Sequence, residues 1–455
     1  MKNTVTGRLA LGIVGLLGVA LLAGCSSPGS TSTTTGPSTA GPSTTSAASS
    51  SATSSGPSGN LSIVVSSNGP SDAAFKAVTD AFNQKYPGMH AVVTPVANDA
   101  YAATKAAQLA AGEADIVVGG PFRDLPSYAD AAQNADMLLA QAGGYLDLTS
   151  QPWLSKYTPS IIDSVKMGGK VYSVPTGLSY ATGVYYNKKI FADNNLQIPT
   201  TWAELQNVIS VLQGKGITPF GMGGKDIWPV GLVMNGVAGG LYPTAADKQK
   251  AIDGLWGKTV DLSAGTPLTV LERTQTIMNA TVKNFAGAGY DEIPAAFAKG
   301  DFAMLPDGTW NHTTILTAVG SSFDVGMFPL PAGDDAAANK YLNGKVELSL
   351  AVNAKSKNTA GALAWLEFFS DPANYAQFVT TAGFAPSQPN IKTDAFLDSI
   401  SAYTASFEPM WESLWIANPK AGQDATYPFN YPALKPLGSS DPAAAAKAAQ
   451  QAWQA

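Results

Sequence analysis

The stretch LSIVVSSNGPSDAAFKAVTDAFNQKYPG, residues 61–88, contains the alternation that predicts the fold class. Four of its first five residues are apolar and three are β-branched, which is typical of a buried strand, and the NGP triplet at 68–70 predicts a turn. Apolar side chains then recur at helical spacing, at Phe75, Val78, Phe82 and Tyr86. A PG pair at 87–88 follows, so we expect a strand, a turn and a helix that ends there.

The same alternation continues to residue 122. HAVVTPVAND (90–99) and ADIVVGGPF (114–122) predict strands, and YAATKAAQLAAGE (101–113) predicts the helix between them. This order indicates a parallel sheet covered by helices, and ligands of such sheets bind beyond the carboxyl ends of the strands. The expected ligand contacts at those ends are Asn68, Asn98, Asp99, Gly119, Gly120 and Phe122. The competing interpretations are structural: a turn at Asn68, helix capping by Asn98 and Asp99, and simple chain reversal at the two glycines.

The amino-terminal segment is typical of export. Lys2 and Arg8 precede an apolar stretch, residues 9–23, that at about 15 residues is shorter than the ~20 of a membrane-spanning helix. LLAGC, residues 21–25, resembles the lipobox at which a bacterial signal is cut before a cysteine that takes up lipid. We therefore expect residues 1–24 to be a signal peptide and Cys25 to be lipidated and to anchor the chain to the cell membrane. An ordinary secretory signal and an uncleaved anchor are the alternatives.

The tract that follows, residues 25–60, consists almost wholly of Ser, Thr, Gly, Pro and Ala and has no charged residue. It lacks the apolar surface that would offset its ordering entropy, so we expect a flexible tether. Cys25 is the only cysteine, which excludes an intramolecular disulfide. Charged residues make up 13% of the chain and the formal net charge is -6, which argues against a nucleic acid partner. With two histidines and no HExxH or CxxC motif, we expect no metal and no cofactor.

Five further motifs occur in a characteristic order. They are GKVYSVPTGLSYATGVYYNK (169–188), PTTWAEL (199–205), GITPFGMGG (216–224), AKGDFAMLPDGTW (298–310), and ALAWLEFFSDP with GFAPS (362–372 and 383–387). In PTTWAEL, Thr201 and Glu204 have the spacing of a helix capping box. Together, the five motifs resemble the extracellular solute-binding proteins of carbohydrate ABC importers, the maltose-binding-protein-like family. The resemblance covers residues 61–455.

The resemblance implies an α/β fold of two lobes joined by hinge strands, with a ligand cleft between the lobes. We expect the chain to cross between lobes near residues 176–182 and 326–330, with a third crossing near Pro386. The expected boundaries are 61–177 and 331–386 for lobe 1, and 178–330 and 387–455 for lobe 2.

A sugar site needs planar polar groups for hydroxyl pairs and aromatic rings for stacking on the apolar face of a sugar ring. The resemblance implies a stacking role for Trp310 in DGTW and ligand-facing positions for Phe122 and Arg123. We add residues of a glycine-rich loop, a crossing segment and an apolar strand: Asp226, Trp228, Tyr180 and Glu347. Burial of Trp310 in the core and a solvent-facing position for Glu347 are the alternatives.

The function that follows is a lipid-anchored, monomeric receptor outside the cytoplasm. It would capture a sugar or oligosaccharide and deliver it to an ABC permease, the partner implied by the resemblance. Other candidates are an exported glycoside hydrolase, for which Asp99 and Glu347 could supply paired carboxylates, a receptor for a polyol or glycerol phosphate ester, and an adhesion or signalling lipoprotein. The neighbours Tyr185 and Tyr186 suggest ferric-ion binding, but in a strand they would point to opposite faces.

Overall fold

The structure is a computed structural model that describes residues 56–127, 129, 133–414, 418–421 and 428–454. The predicted signal peptide, Cys25 and all of the tether before residue 56 lie outside the described residues. Within the described ranges, helices alternate with short strands along the chain, and the strands form three larger sheets and one hairpin. This confirms the expected α/β class. No helix of the described part has the length and apolar composition needed to cross a bilayer.

The strands follow one another in short segments. In chain order they are β1 Gly59–Ser66, β2 Met89–Val96, β3 Ile116–Val118, β4 Lys166–Met167, β5 Lys170–Val171, β6 Ser173–Val174, β7 Gly177–Tyr180, β8 Gly183–Asn187, β9 Met304–Asp307, β10 Val325–Pro329, β11 Asn343–Glu347, β12 Leu350–Val352 and β13 Glu408–Pro409.

The helices of the described part are α1 Gly69–Lys85, α2 Asn98–Ala111, α3 Ala135–Gln141, α4 Pro159–Ser164, α5 Lys188–Asp193, α6 Trp202–Gly214, α7 Trp228–Leu241, α8 Ala245–Trp256, α9 Gly265–Asn279, α10 Ile293–Ala298, α11 His312–Val319, α12 Thr359–Phe369, α13 Pro372–Ala382, α14 Ala395–Ser399 and α15 Pro442–Gln454. Single 3₁₀ turns include Tyr290–Glu292 and Thr309–Asn311. The capping box predicted at α6 is present, because the Glu204 N–H donates to Thr201 Oγ1 and Glu204 Oε2 accepts from the Thr201 N–H.

The first sheet has the strand order β2-β1-β3-β12-β6. Strand β1 pairs in parallel with β2 and with β3, as the alternation predicts, whereas β12 is antiparallel to both β3 and β6. Helices α1, α12 and α13 cover one face of this sheet, and side chains such as Phe75, Trp365 and Phe378 fill the core between them. The parallel strands place the ends of β1, β2 and β3 at one edge.

The second sheet, β10-β8-β9, is antiparallel, and it packs against helices α6 to α9 through a separate apolar core. A third sheet has the strand order β13-β11-β7. Strand β7 follows β6 of the first sheet and precedes β8 of the second, and Leu178 exchanges backbone hydrogen bonds with Ala385. The chain thus passes from the first sheet through β7 to the second sheet, and the lobe crossings and boundaries stay a prediction.

Candidate functional site

Three aromatic side chains from separate segments meet at the carboxyl end of β9. Trp310 lies in the 3₁₀ turn after β9, Trp228 begins α7, and Tyr290 lies in the 3₁₀ turn before α10. The ring centroids of Trp228 and Tyr290 are 4.4 Å apart, and those of Trp228 and Trp310 are 6.4 Å apart. Trp228 is 39% exposed, whereas Trp310 is 8% exposed. We call Trp228, Tyr290 and Trp310 the aromatic cluster; it offers an open ring backed by a covered one.

A buried carboxyl group holds the cluster in place. The Trp310 Nε1–H donates to the Tyr290 hydroxyl oxygen at 2.9 Å, and that hydroxyl donates to Asp307, with 3.0 Å to Oδ1 and 3.1 Å to Oδ2. Asp307 also accepts from the Gly308 N–H at 2.7 Å and from Asn311 Nδ2 at 2.7 Å. Burial raises the pKa of Asp307 to about 7 against the opposing effect of these donors. Asp307 shapes its turn through Gly308 and Asn311 and in addition orients two rings.

Two glycines allow this close packing. A Cβ on Gly308 would lie 2.1 Å from the Trp310 ring, so the indole can fold back over the DGTW turn only because residue 308 is glycine. A Cβ on Gly223 would lie 2.7 Å from the Tyr290 backbone, so the glycine-rich loop lets the segment with Tyr290 approach. The glycines that mark this loop in the sequence therefore serve the approach of distant segments as well as turning the chain.

Asp226 joins the glycine-rich loop to the Tyr290 segment. Its Oδ2 accepts from the Tyr290 N–H at 2.7 Å, and its backbone oxygen accepts from the Trp228 N–H at 2.7 Å. The carboxylate is exposed, and no hydrogen bond from the described residues reaches its other oxygen, Oδ1. That oxygen is therefore available to a ligand hydroxyl. Asp226 thus lies beside the open ring of the cluster.

A charged pair approaches the cluster from the third sheet. Lys345 Nζ lies 3.1 Å from Glu347 Oε1 and 5.4 Å from the centroid of the Trp310 ring. Glu347 is 7% exposed and also accepts from the Ser179 hydroxyl. Tyr180 is buried, with its backbone N–H donating to Thr309 Oγ1 at 3.0 Å, and burial raises its pKa to about 12. Tyr180 therefore touches the Trp310 turn through its backbone.

The candidates at the ends of β1 and β2 occupy a different place. Asn68 occupies the N-cap position of α1, and its side chain makes no capping hydrogen bond; its buried Oδ1 has no partner among the described residues. Asn98 accepts from the Ser66 hydroxyl and begins α2. Asp99 is exposed in the first turn of the same helix. These groups line the carboxyl edge of the first sheet.

At the end of β3, Gly120 has a φ of 101°, a conformation that favours glycine, and its N–H donates to Asp136 Oδ2 at 2.9 Å. The Gly119 N–H donates to the Ser349 oxygen at 2.8 Å. Phe122 is 1% exposed and packs edge-on against Tyr145, so its ring belongs to the core of the first sheet. Arg123 is half-buried, burial lowers its pKa to about 10, and its Nε lacks a partner in the described part.

The structure therefore brings Asp226, Trp228, Trp310 and Glu347 together and links Tyr180 to them through the backbone. Among the described residues, no hydrogen bond or ring contact connects the seven candidates of the first sheet to the aromatic cluster. Tyr290 and Lys345 were not predicted. A tyrosine in the loop GAGYDE, residues 287–292, is the sequence signal that could have identified the first, because loop aromatics often contact ligands.

The described residues contain no group of three or more His, Cys, Asp or Glu side chains that could hold a metal ion. Tyr185 and Tyr186 pack into separate apolar clusters on opposite sides of β8, as expected for strand neighbours. The Tyr185 hydroxyl donates to the Gly308 oxygen at 2.9 Å and so supports the turn beneath Trp310.

Comparison with known proteins places these features in context. The chain is 24% identical over 330 residues to the multiple sugar-binding protein of Streptococcus mutans, which covers 71% of this chain and 74% of the relative. Among solved structures, the solute-binding protein RafE in complex with raffinose has a TM-score of 0.71 at 22% identity, covering 87% of this chain and 99% of the other. A chitin oligosaccharide binding protein has a TM-score of 0.67 at 22% identity, covering 87% and 98%.

The likeness to the two solved structures supports the two-lobed fold expected from the sequence motifs. The family model of the bacterial extracellular solute-binding proteins matches residues 66–376, more than half of the chain. The chain therefore belongs to the bacterial extracellular solute-binding protein family.

Proposed function

We propose that the chain is the saccharide-capturing receptor of an ABC importer and that the aromatic cluster is its principal sugar-binding wall. The observation that supports this most directly is the open Trp228 ring, backed by Tyr290 and Trp310 and flanked by exposed Asp226. An indole face covers the apolar face of a pyranose ring, and a carboxylate accepts its hydroxyl protons.

The relatives favour an oligosaccharide over other solutes. The similar chain from Streptococcus mutans is described as binding multiple sugars, and the similar structures hold raffinose or are described as binding chitin oligosaccharides. A neutral polyol would use fewer rings, and a phosphate ester would need cations. The cations near the described site are Lys345, which is paired with Glu347, and Lys225 in the glycine-rich loop.

The candidates of the first sheet other than the core residue Phe122 form the opposite wall in this proposal, with Arg123 and Asn68 supplying their unpartnered buried atoms as hydrogen-bonding groups. A ligand that contacts both walls would favour the arrangement in which lobe 1 (61–177 and 331–386) closes on lobe 2 (178–330 and 387–455). The closed form would then dock on the permease.

Because the family is extracellular, the chain acts outside the cytoplasm. The proposal includes attachment to the membrane through lipidated Cys25 and a tether of residues 25–60. It also includes a receptor that acts as a monomer. We also propose that the bound saccharide leaves unchanged. Asp307, the acid beside the rings, is 1% exposed and is held by donors from its own chain, so its carboxyl group does not reach a sugar bond.

The test is isothermal titration calorimetry of the full chain against raffinose, stachyose, maltotriose, xylotriose, chitotriose, glycerol 3-phosphate and amino acids, after bound ligand is removed by unfolding and refolding. A dissociation constant near or below micromolar, about -8 kcal/mol, for one saccharide is the expected result. Trp228→Phe should keep most of the affinity and Trp228→Ala should lose it. Binding confined to phosphate esters or amino acids, or products of saccharide cleavage in chromatography, would contradict the proposal.

A further inference from the structure

Residues 226–228 form a turn whose backbone is strained. Ile227 has φ 63° and ψ -57°, and the Trp228 N–H donates to the Asp226 oxygen at 2.7 Å, which closes a three-residue γ-turn. Positive φ is unfavourable for a β-branched residue, because its side chain clashes with the backbone there. Glycine would adopt this conformation without that penalty.

Contacts on both sides hold the turn in this conformation. Before it, the Gly224 N–H donates to the Phe285 oxygen at 3.0 Å and the Lys225 N–H donates to the Ala288 oxygen at 3.1 Å. Within it, the Asp226 carboxylate accepts from the Tyr290 N–H. After it, the Trp228 ring packs on Tyr290 at 4.4 Å. The neighbouring segment 285–290 therefore imposes the strain, which is the circumstance in which strained backbone persists.

The strained turn exposes two apolar side chains in succession. Ile227 is 40% exposed and Trp228 is 39% exposed. The other large apolar side chains with comparable exposure in the described part are isolated from one another in sequence: Val92, Leu138 and Ile198. Neither the strain nor the exposure of two adjacent apolar groups stabilises the chain itself, and both features are typical of binding sites.

We propose that Ile227 is a ligand-contact residue, and that its strained turn holds Ile227 and Trp228 as an apolar lip for the outermost unit of a bound oligosaccharide. This inference rests on the proposed saccharide function. The order of exposure supports the position of the lip, because Trp310 is 8% exposed and lies inside the cluster, whereas Trp228 and Ile227 lie at its open side. A branched aliphatic side chain covers the C–H groups of a sugar ring without stacking on it. Ile227 therefore contributes to the binding of ligands with two or more sugar units and contributes little to a monosaccharide.

The test combines thermal unfolding with calorimetry on the full chain. Ile227→Gly removes both the side chain and the strain, so its Tm should rise while its affinity for the trisaccharides raffinose, maltotriose, xylotriose or chitotriose falls by about 5- to 10-fold. Affinity for the constituent monosaccharides should stay unchanged. Ile227→Ala keeps a Cβ at positive φ, so it should show the same affinity loss with little gain in Tm.

A matched control is Asn195→Gly, in the exposed loop after α5, where φ is 54°. It should raise Tm slightly and leave every affinity unchanged. Trisaccharide binding by Ile227→Gly at wild-type strength would overturn the inference while leaving the proposed function intact, and an unchanged or lowered Tm would show that the turn is not strained. A wild-type chain that binds no saccharide would overturn the proposed function, and this inference with it.

Discussion

The hydroxyl of Tyr290 lies between the carboxylate of Asp307, to which it donates at 3.0 Å, and the indole N–H of Trp310, from which it accepts at 2.9 Å. One oxygen atom thus connects a buried acid to the covered ring of the aromatic cluster. Burial together with the charge of Asp307 raises the pKa of Tyr290 well above its ordinary value, so the hydroxyl keeps its proton throughout the physiological range.

Tyr290→Phe removes that connection and should weaken both the fold and the site. The Trp310 N–H loses its acceptor and Asp307 loses a donor, so the free energy of unfolding should fall by about 1–3 kcal/mol. Saccharide affinity should fall as well, because the indole is no longer oriented. Urea unfolding and calorimetry measure the two effects. Tyr341→Phe, which alters a half-buried tyrosine elsewhere in the chain, is the control, and equal effects of the two substitutions would contradict the assigned role.

Asp307 makes stability depend on pH. Its folded pKa of about 7 lies above its ordinary value of 3.8, so between these values the folded chain holds a proton that the unfolded chain releases. The stabilising contribution is complete below about pH 4 and is lost as pH rises to about 7, by roughly 4 kcal/mol. We expect the free energy of unfolding of the wild type, minus that of Asp307→Asn, to fall over this interval and to level off above it. Chemical denaturation from pH 4 to 9 measures the difference, and a flat profile would contradict the raised pKa.

Gly308→Ala tests the close contact beneath Trp310. The added Cβ would fall 2.1 Å from the ring, so the indole must leave its position. We expect a loss of about 1–3 kcal/mol in stability, typical of overpacking, with a shift in tryptophan emission and a loss of saccharide binding. Gly287→Ala is the matched control, because nothing lies within 4 Å of a Cβ at that position. Normal binding by Gly308→Ala would place the ligand away from the cluster.

Thr201→Ala separates stability from binding. It removes one half of the capping box of α6, because among the described residues the Glu204 N–H donates to no other side chain than Thr201. The expected cost is about 1 kcal/mol in the free energy of unfolding. Saccharide affinity should equal that of the wild type, and a change in affinity beyond the error of calorimetry would argue that α6 contributes to the site.

Cys25→Ala tests the proposed anchor. Without the sulfur atom no lipid can be attached, so the chain should move from the membrane fraction to the soluble extracytoplasmic fraction, as followed by immunoblotting of fractionated cells. Ser26→Ala, one residue later, is the control and should stay with the membrane. Membrane association of Cys25→Ala would favour the uncleaved anchor.

Elements whose formation depends on neighbouring residues were predicted well. The parallel order of β1, β2 and β3 follows from the alternation of apolar runs with helical spacing, and the capping box at Thr201 and Glu204 follows from their separation of three residues. The antiparallel addition of β12 to this sheet was not predicted, because its partner β3 lies more than 200 residues earlier. The spacing of apolar residues along the chain does not predict which distant strands will pair.

The same division applies to the site. Residue type and loop position indicated Trp228 and Asp226, and the family resemblance indicated Trp310. The structure brings the three together, and their contact with a ligand stays a prediction. Tyr290 and Lys345 were missed because their importance comes from contacts with residues distant in the chain. Phe122 was predicted as a contact, and the structure places its ring in the core of the first sheet, where an apolar side chain gains most from burial.

The sequence by itself determined the α/β class and the residue types available for a sugar, because these depend on local spacing and composition. Only the tertiary structure decided that Tyr290 connects Asp307 to Trp310 and that Ile227 has positive φ. Both depend on segment 285–290 packing against the glycine-rich loop and on the DGTW turn. Such contacts between distant segments form only when the chain has folded, because each is held by the packing of the whole lobe and not by its own neighbours.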